Sequence, residues 1–83
     1  MEKSIHTREY AAVQRLLRKI REDAGLTQVD VAEKLGVTQS QVSKIERGET
    51  RLDVIQLRSV CASLRITLVT FARMLEREIA SRR

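Results

Sequence analysis

An all-α fold of five helices is what this sequence predicts, on three observations. Proline is absent, and only three glycines, one Tyr and one Phe occur in 83 residues. Strands favour aromatic and β-branched runs bounded by turn formers, whereas Arg, Glu, Leu, Ala, Gln and Lys dominate here and are good helix formers. Apolar residues recur at three- and four-residue spacing rather than in alternation. Finally, Gly25, Gly36 and Gly48 each close a segment of helix length, and a Thr or charged residue follows within two positions. Glycine is favoured just past a helix end, so three glycines read as three helix stops.

The first helix is expected from about Arg8 to Ala24, capped by Thr7 or Ser4, with Val13, Leu16, Leu17, Ile20 and Ala24 as its buried stripe. Thr27 caps a second, Gln28 to Leu35, with Val31, Ala32 and Leu35 inward. Thr38 caps a third, Gln39 to Arg47, with Val42 and Ile45 inward. Thr38 and Gln41 fit a capping box, in which two side chains satisfy otherwise unpaired backbone donors. Asp53 caps a fourth helix, Val54 to Leu64, burying Leu57, Val60, Cys61 and Leu64. Thr67 caps a fifth, Leu68 to about Ser81. Short turns between five helices make a compact orthogonal bundle in one domain spanning residues 1–83.

A chain this short buries only about 60–65% of the surface its unfolded form exposes, so a partner subunit would add useful burial. Sixteen Lys and Arg against eleven Asp and Glu give a net charge of +5. On charge alone, nucleic acid, an anionic membrane surface and simple solubility all remain open. Cys61 is the lone cysteine, so no disulfide forms within the chain and a reducing cytoplasm fits. The polar segment Met1–Tyr10 has no apolar signal core, and no stretch approaches the roughly 20 apolar residues of a membrane span.

The second and third helices are unusually short, and only Gly36, Val37 and Thr38 separate them. Two short helices joined by a three- or four-residue turn containing Gly have the geometry of a helix-turn-helix, whose second helix enters the DNA major groove. Removing Val42 and Ile45 from the third helix leaves Gln39, Ser40, Ser43, Lys44 and Arg47, with Glu46 the single carboxylate. Gln suits an adenine edge and Lys the acceptors of guanine. An ordinary solvated face would mix Glu and Lys more evenly, so double-stranded DNA is the favoured partner.

The run Gly25-Leu26-Thr27-Gln28, then Ala32, Leu35-Gly36-Val37, Ser43, Ile45-Glu46 and Gly48 resembles the Cro/C1-type (XRE) helix-turn-helix family. The likeness covers roughly Leu16 to Phe71 without a gap and implies a lambda-repressor-like DNA-binding domain of five helices. By resemblance, Thr38, Gln39, Ser40 and Lys44 read bases, with Ser43 beside them. Gln28 contacts a phosphate and braces the recognition helix, while Arg47 and Arg51 clamp the DNA backbone. Thr27 adds a phosphate contact, because helix N-termini offer free N–H groups and partial positive charge. Arg21 and Glu46 match a partly buried ion pair of the family, a structural role. The family habit of binding two-fold operators implies a homodimer. Leu68, Phe71, Ala72, Leu75 and Ile79 form one stripe of the fifth helix. Four preceding helices are expected to cover only its first turns, which places Phe71, Met74, Leu75 and Ile79 at a dimer interface.

The resulting expectation is a sequence-specific transcriptional regulator, best described as a repressor, acting in the cytoplasm as a homodimer on a pseudo-palindromic operator. Small phage repressors and restriction–modification controller proteins are similar in size. An antitoxin that binds a toxin and its own promoter is the alternative, although little of the chain is left for a partner-binding segment. A membrane-surface role ranks last, because the fifth helix is mixed in charge rather than Lys-rich on its polar face. His6 and Cys61 share no ligand-like spacing, so zinc is not expected, and Cys61 reads as packing. No nucleophile–base arrangement or phosphate-cradling glycine loop occurs, so neither an enzyme nor a cofactor or small-molecule ligand is expected.

Overall fold

The computed structural model describes residues 7–81; Ser4, His6, Arg82 and Arg83 lie outside them. The helices are α1 (Arg8–Asp23), α2 (Gln28–Leu35), α3 (Gln39–Glu46), α4 (Val54–Ser63) and α5 (Leu68–Ser81). No strand occurs among the described residues, and the fold is the all-α bundle that the sequence predicts. Helices α1, α3 and α4 end one residue earlier than their periodicity suggests, because Ala24, Arg47 and Leu64 serve as C-caps.

The helix starts share one chemistry. Oxygen atoms of Thr7, Thr27, Thr38, Asp53 and Thr67 accept from the backbone N–H three residues on, at 2.7–3.1 Å. At three of these starts the third helical residue answers. The Asp30 carboxylate takes the Thr27 N–H at 2.8 Å, Gln41 takes that of Thr38 at 3.2 Å, and Gln56 takes that of Asp53 at 2.8 Å. The reciprocal box expected at Thr38 therefore occurs three times, each time satisfying two backbone donors that the helix leaves unpaired.

The stops share another. After each of α1 to α4 a residue with positive φ turns the chain, and the next N–H reaches back five residues. Leu26 bonds to Arg21 O, Val37 to Ala32 O, Glu49 to Lys44 O and Ile66 to Cys61 O, at 2.8–3.1 Å. Glycine holds the turning position three times, but after α4 it is Arg65, with φ 65°. A side chain in that conformation costs about 1–2 kcal/mol, and the hydrophobic contacts of Leu64 and Ile66 with the core hold it there.

The core joins Leu16, Leu17 and Ile20 of α1 to Val31, Ala32, Val42, Val60, Cys61, Leu64 and Phe71. Val13, Leu35, Ile45 and Leu57 are half-buried at its rim. Ala24 was expected to be buried but is exposed, because it caps α1 beyond the last inward turn. Ser63, the one buried polar side chain among the described residues, satisfies its hydroxyl on Val60 O at 2.6 Å. Burial also pushes the Cys61 thiol above its ordinary pKa, which suits packing.

Helix α5 departs most from expectation. Phe71 is 0% exposed within the single chain, so its ring belongs to the core and cannot meet a second copy. Met74 and Leu75 are half-buried against the same core. Helix α1 packs along α5, with Arg15 Nε 3.5 Å from Glu78 Oε2, and so covers turns that helix length alone left bare. Among the described residues, the most exposed large apolar side chains are Ile55, Val54 and Val69, at 69%, 61% and 60%.

Candidate nucleic-acid interface

Helices α2 and α3 pack against each other, and α3 also packs on α1. Val42 is the buried residue of α3. Thr38, Gln39, Ser40, Gln41, Lys44 and Arg47 are exposed, while Ser43 is half-buried. The polar side of α3 therefore protrudes. That presentation is fixed from beneath by a chain of hydrogen bonds crossing three helices.

Arg21 of α1 donates from Nε to Glu46 Oε2 at 2.6 Å and from Nη2 to Glu46 Oε1 at 3.0 Å. A third donation, from Nη1 to Leu26 O at 2.9 Å, ties the same guanidinium to the turn before α2. The side chains are only 12% and 8% exposed. Hydrogen bonding to Glu46 raises the Arg21 pKa above its ordinary value despite the opposing effect of burial. Glu46 Oε1 also accepts from Gln28 Nε2 at 3.0 Å, and Gln28 Oε1 accepts from Gln39 Nε2 at 2.6 Å. The series Arg21–Glu46–Gln28–Gln39 thus runs from the partly buried base of α3 to the first turn of its exposed face. Held in this way, the Gln39 amide keeps one acceptor and one donor hydrogen, the pair that matches an adenine edge in the major groove.

The loop after α3 is positioned from α1. Gly48 is buried, with φ 77°, and a Cβ there would overlap the Gln14 side chain. Gln14 Nε2 lies 3.4 Å from Glu46 O. The Tyr10 hydroxyl accepts from Leu52 N at 3.2 Å and donates to Thr50 O at 3.4 Å. Between those two residues, Arg51 places its guanidinium 5.4 Å from the centre of the Tyr10 ring, a cation–π distance. Arg47 donates from Nε to Glu49 Oε2 at 2.7 Å and from Nη1 to the Ser43 hydroxyl.

Of the residues expected at the interface, hydrogen bonds join Gln28 to Gln39 and Ser43 to Arg47, and Thr27, Thr38, Ser40, Lys44 and Arg51 are exposed on the α2–α3 unit and its flanking loops, with one modification. Thr27 caps α2, and its own N–H is taken by Asp30, so this donor already has a partner. Sequence reasoning missed Tyr10, Gln14, Asp30 and Glu49. Asp30 carried a signal, an acceptor three residues after a Thr cap; the others act across 32 to 42 residues or through a turn and left none. Among the described residues no group of His, Cys, Asp and Glu is arranged to hold a metal ion. No single described helix is long and apolar enough to cross a membrane.

A helix-turn-helix family model matches residues 17–71. No curated protein matches the chain. Among solved structures, the wild-type restriction-modification controller protein C.Esp1396I is 31% identical with a TM-score of 0.82, covering 89% of this chain and 97% of that one. The same controller has been crystallised as a tetramer in complex with its natural 35 base-pair operator, again at 31% identity and a TM-score of 0.82. An XRE-family like protein from Pseudomonas syringae pv. tomato str. DC3000 is 40% identical with a TM-score of 0.81, covering 90% of this chain and 92% of that one. The matched span holds the two short helices, the turn between them and the ion pair beneath. The chain belongs to the XRE helix-turn-helix family of DNA-binding transcription regulators.

Proposed function

We propose that the chain is a sequence-specific repressor that binds a pseudo-palindromic operator as a homodimer, with α3 in the major groove. The observation that carries this reading is the protruding polar face of α3, braced on α1 through Arg21, Glu46 and Gln28. Thr38, Gln39, Ser40, Ser43 and Lys44 are the base-reading set. Gln28, Thr27, Arg47 and Arg51 face phosphates. Thr27 is the weakest member, since its N–H already meets Asp30. Two recognition helices about 34 Å apart would meet successive major grooves on one side of the duplex.

Footprinting on the DNA upstream of the protein's own reading frame tests the proposal. Two protected half-sites, centred about one helical turn apart, are expected. Uniform protection without half-sites would contradict it.

For the interface, Met74, Leu75 and Ile79 of α5 remain the first proposal, now without Phe71. A second surface is favoured by the exposure of Val54, Ile55 and Val69, which solvate more apolar area than the half-buried α5 residues. Sedimentation of Leu75→Glu and Ile55→Glu separates the two, because only the variant at the true interface becomes monomeric while remaining folded.

A further inference from the structure

Glu49 sits on the proposed DNA face without a role in it, and its placement is not that of a loose surface side chain. Gly48 turns the chain with φ 77°, and the Glu49 N–H then closes on Lys44 O at 2.8 Å. That turn fixes the backbone of Glu49 directly after α3. Its Oε2 meets Arg47 Nε at 2.7 Å, and the same guanidinium donates through Nη1 to the Ser43 hydroxyl. The carboxylate also lies in the field of Lys44, and these cations hold it below the ordinary carboxylate range, Arg47 first. One acid thus engages the proposed phosphate clamp, reaches a proposed base-reading hydroxyl through it, and faces a proposed base-reading cation.

We infer that Glu49 is a built-in competitor for DNA phosphate that lowers the affinity of the α3 face for any duplex by occupying Arg47. The inference rests on the reading of Arg47 as a phosphate contact. A phosphate approaching Arg47 must displace this carboxylate or share the guanidinium with it, and like charges disfavour sharing. Binding then exchanges one anion for another at Arg47, and the site releases less condensed counterion than an unpaired arginine would. The cost falls on matched and unmatched sequences alike, because backbone contacts carry no sequence information. Ser43 shares the same latch through its hydroxyl, which accepts from Arg47 and keeps its O–H donor and a second lone pair for a base edge.

The test uses the full chain and a fluorescein-labelled random-sequence duplex of roughly three helical turns, with anisotropy measured across a salt series. Wild type, Glu49→Gln, Arg47→Ala and the double variant are compared. Glu49→Gln is expected to bind about three- to tenfold more tightly at low salt. Its plot of log affinity against log salt should steepen by about 0.9 per bound subunit, with the melting temperature little changed. In the Arg47→Ala background the same substitution should lose most of its effect. If Glu49→Gln leaves affinity and slope unchanged while Arg47→Ala weakens binding, the competition is refuted and the clamp stands. If Glu49→Gln acts equally with and without Arg47, the carboxylate works through the general field and the latch is refuted. If Arg47→Ala itself changes nothing, the clamp reading fails, and the inference fails with it.

Discussion

Arg21 of α1 and Glu46, the last residue of α3, meet through two parallel hydrogen bonds of 2.6 and 3.0 Å. The pair is nearly withdrawn from water, and Glu46 passes its second oxygen on to Gln28. Removing the carboxylate takes two of the guanidinium's three hydrogen bonds, leaving that to Leu26 O, and unties Gln28 as well. Truncating one partner of a buried pair costs about 3–5 kcal/mol, a large share of the stability of a small domain. Glu46→Ala should therefore unfold or loosen the chain, seen as a much lower melting temperature by circular dichroism. An unchanged melting temperature with altered operator preference would instead make Glu46 a base reader.

Arg65 offers the opposite change. Its φ of 65° stands where three other helix ends carry glycine. Glycine removes the strain of about 1–2 kcal/mol but adds freedom to the unfolded chain. Arg65→Gly should stabilise the fold by a net of about 0.5–1 kcal/mol, raising the melting temperature by several degrees in a domain of this size. A lower melting temperature would mean that the Arg65 side chain itself contributes contacts outweighing the strain.

Tyr10 links α1 to the loop that carries Arg51 through two hydroxyl bonds and the ring face. Tyr10→Phe keeps the ring and leaves Leu52 N without this partner, at a cost of about 1 kcal/mol. The loop bonds lost should also weaken DNA binding across all sequences, whereas Tyr10→Leu should weaken it further by removing the ring beneath Arg51. Thermal melts and anisotropy on random-sequence DNA read both effects.

Acid should destabilise the chain through two surface carboxylates. The Thr27 N–H is the main cause that lowers the Asp30 pKa, and Arg47 is the main cause that lowers that of Glu49. Both groups are more acidic folded than unfolded, so each favours the folded state above the ordinary carboxylate range. That favour is withdrawn as the pH falls from about 5 toward and through the folded values. Urea midpoints should fall over this window, and Asp30→Asn should make the decline shallower.

Much of this was legible because the relevant chemistry is local. The caps Thr27, Thr38 and Asp53 act over three residues, and Gly36 with Val37 and Thr38 marks the turn between α2 and α3 within a short stretch. Arg21 and Glu46 were legible only by resemblance, because 25 residues separate them. What escaped depends on how helices lie across one another. Phe71 and Leu75 share a stripe with Ile79 in sequence, yet the packing of α1 and α4 against α5 buries the first completely and the second in part. Arg65 escaped because nothing in an arginine announces a left-handed turn. Tyr10 escaped because its partners lie 40 and 42 residues away.

The most direct test of the α3 face compares Lys44→Ala with Arg51→Ala on the duplex that wild type protects and on a random-sequence duplex. Lys44→Ala should lose roughly tenfold to a hundredfold on the protected sequence and much less on random DNA. Arg51→Ala should weaken both alike and flatten the salt dependence by about one unit per site. If Lys44→Ala binds both duplexes as wild type does, α3 does not read the groove.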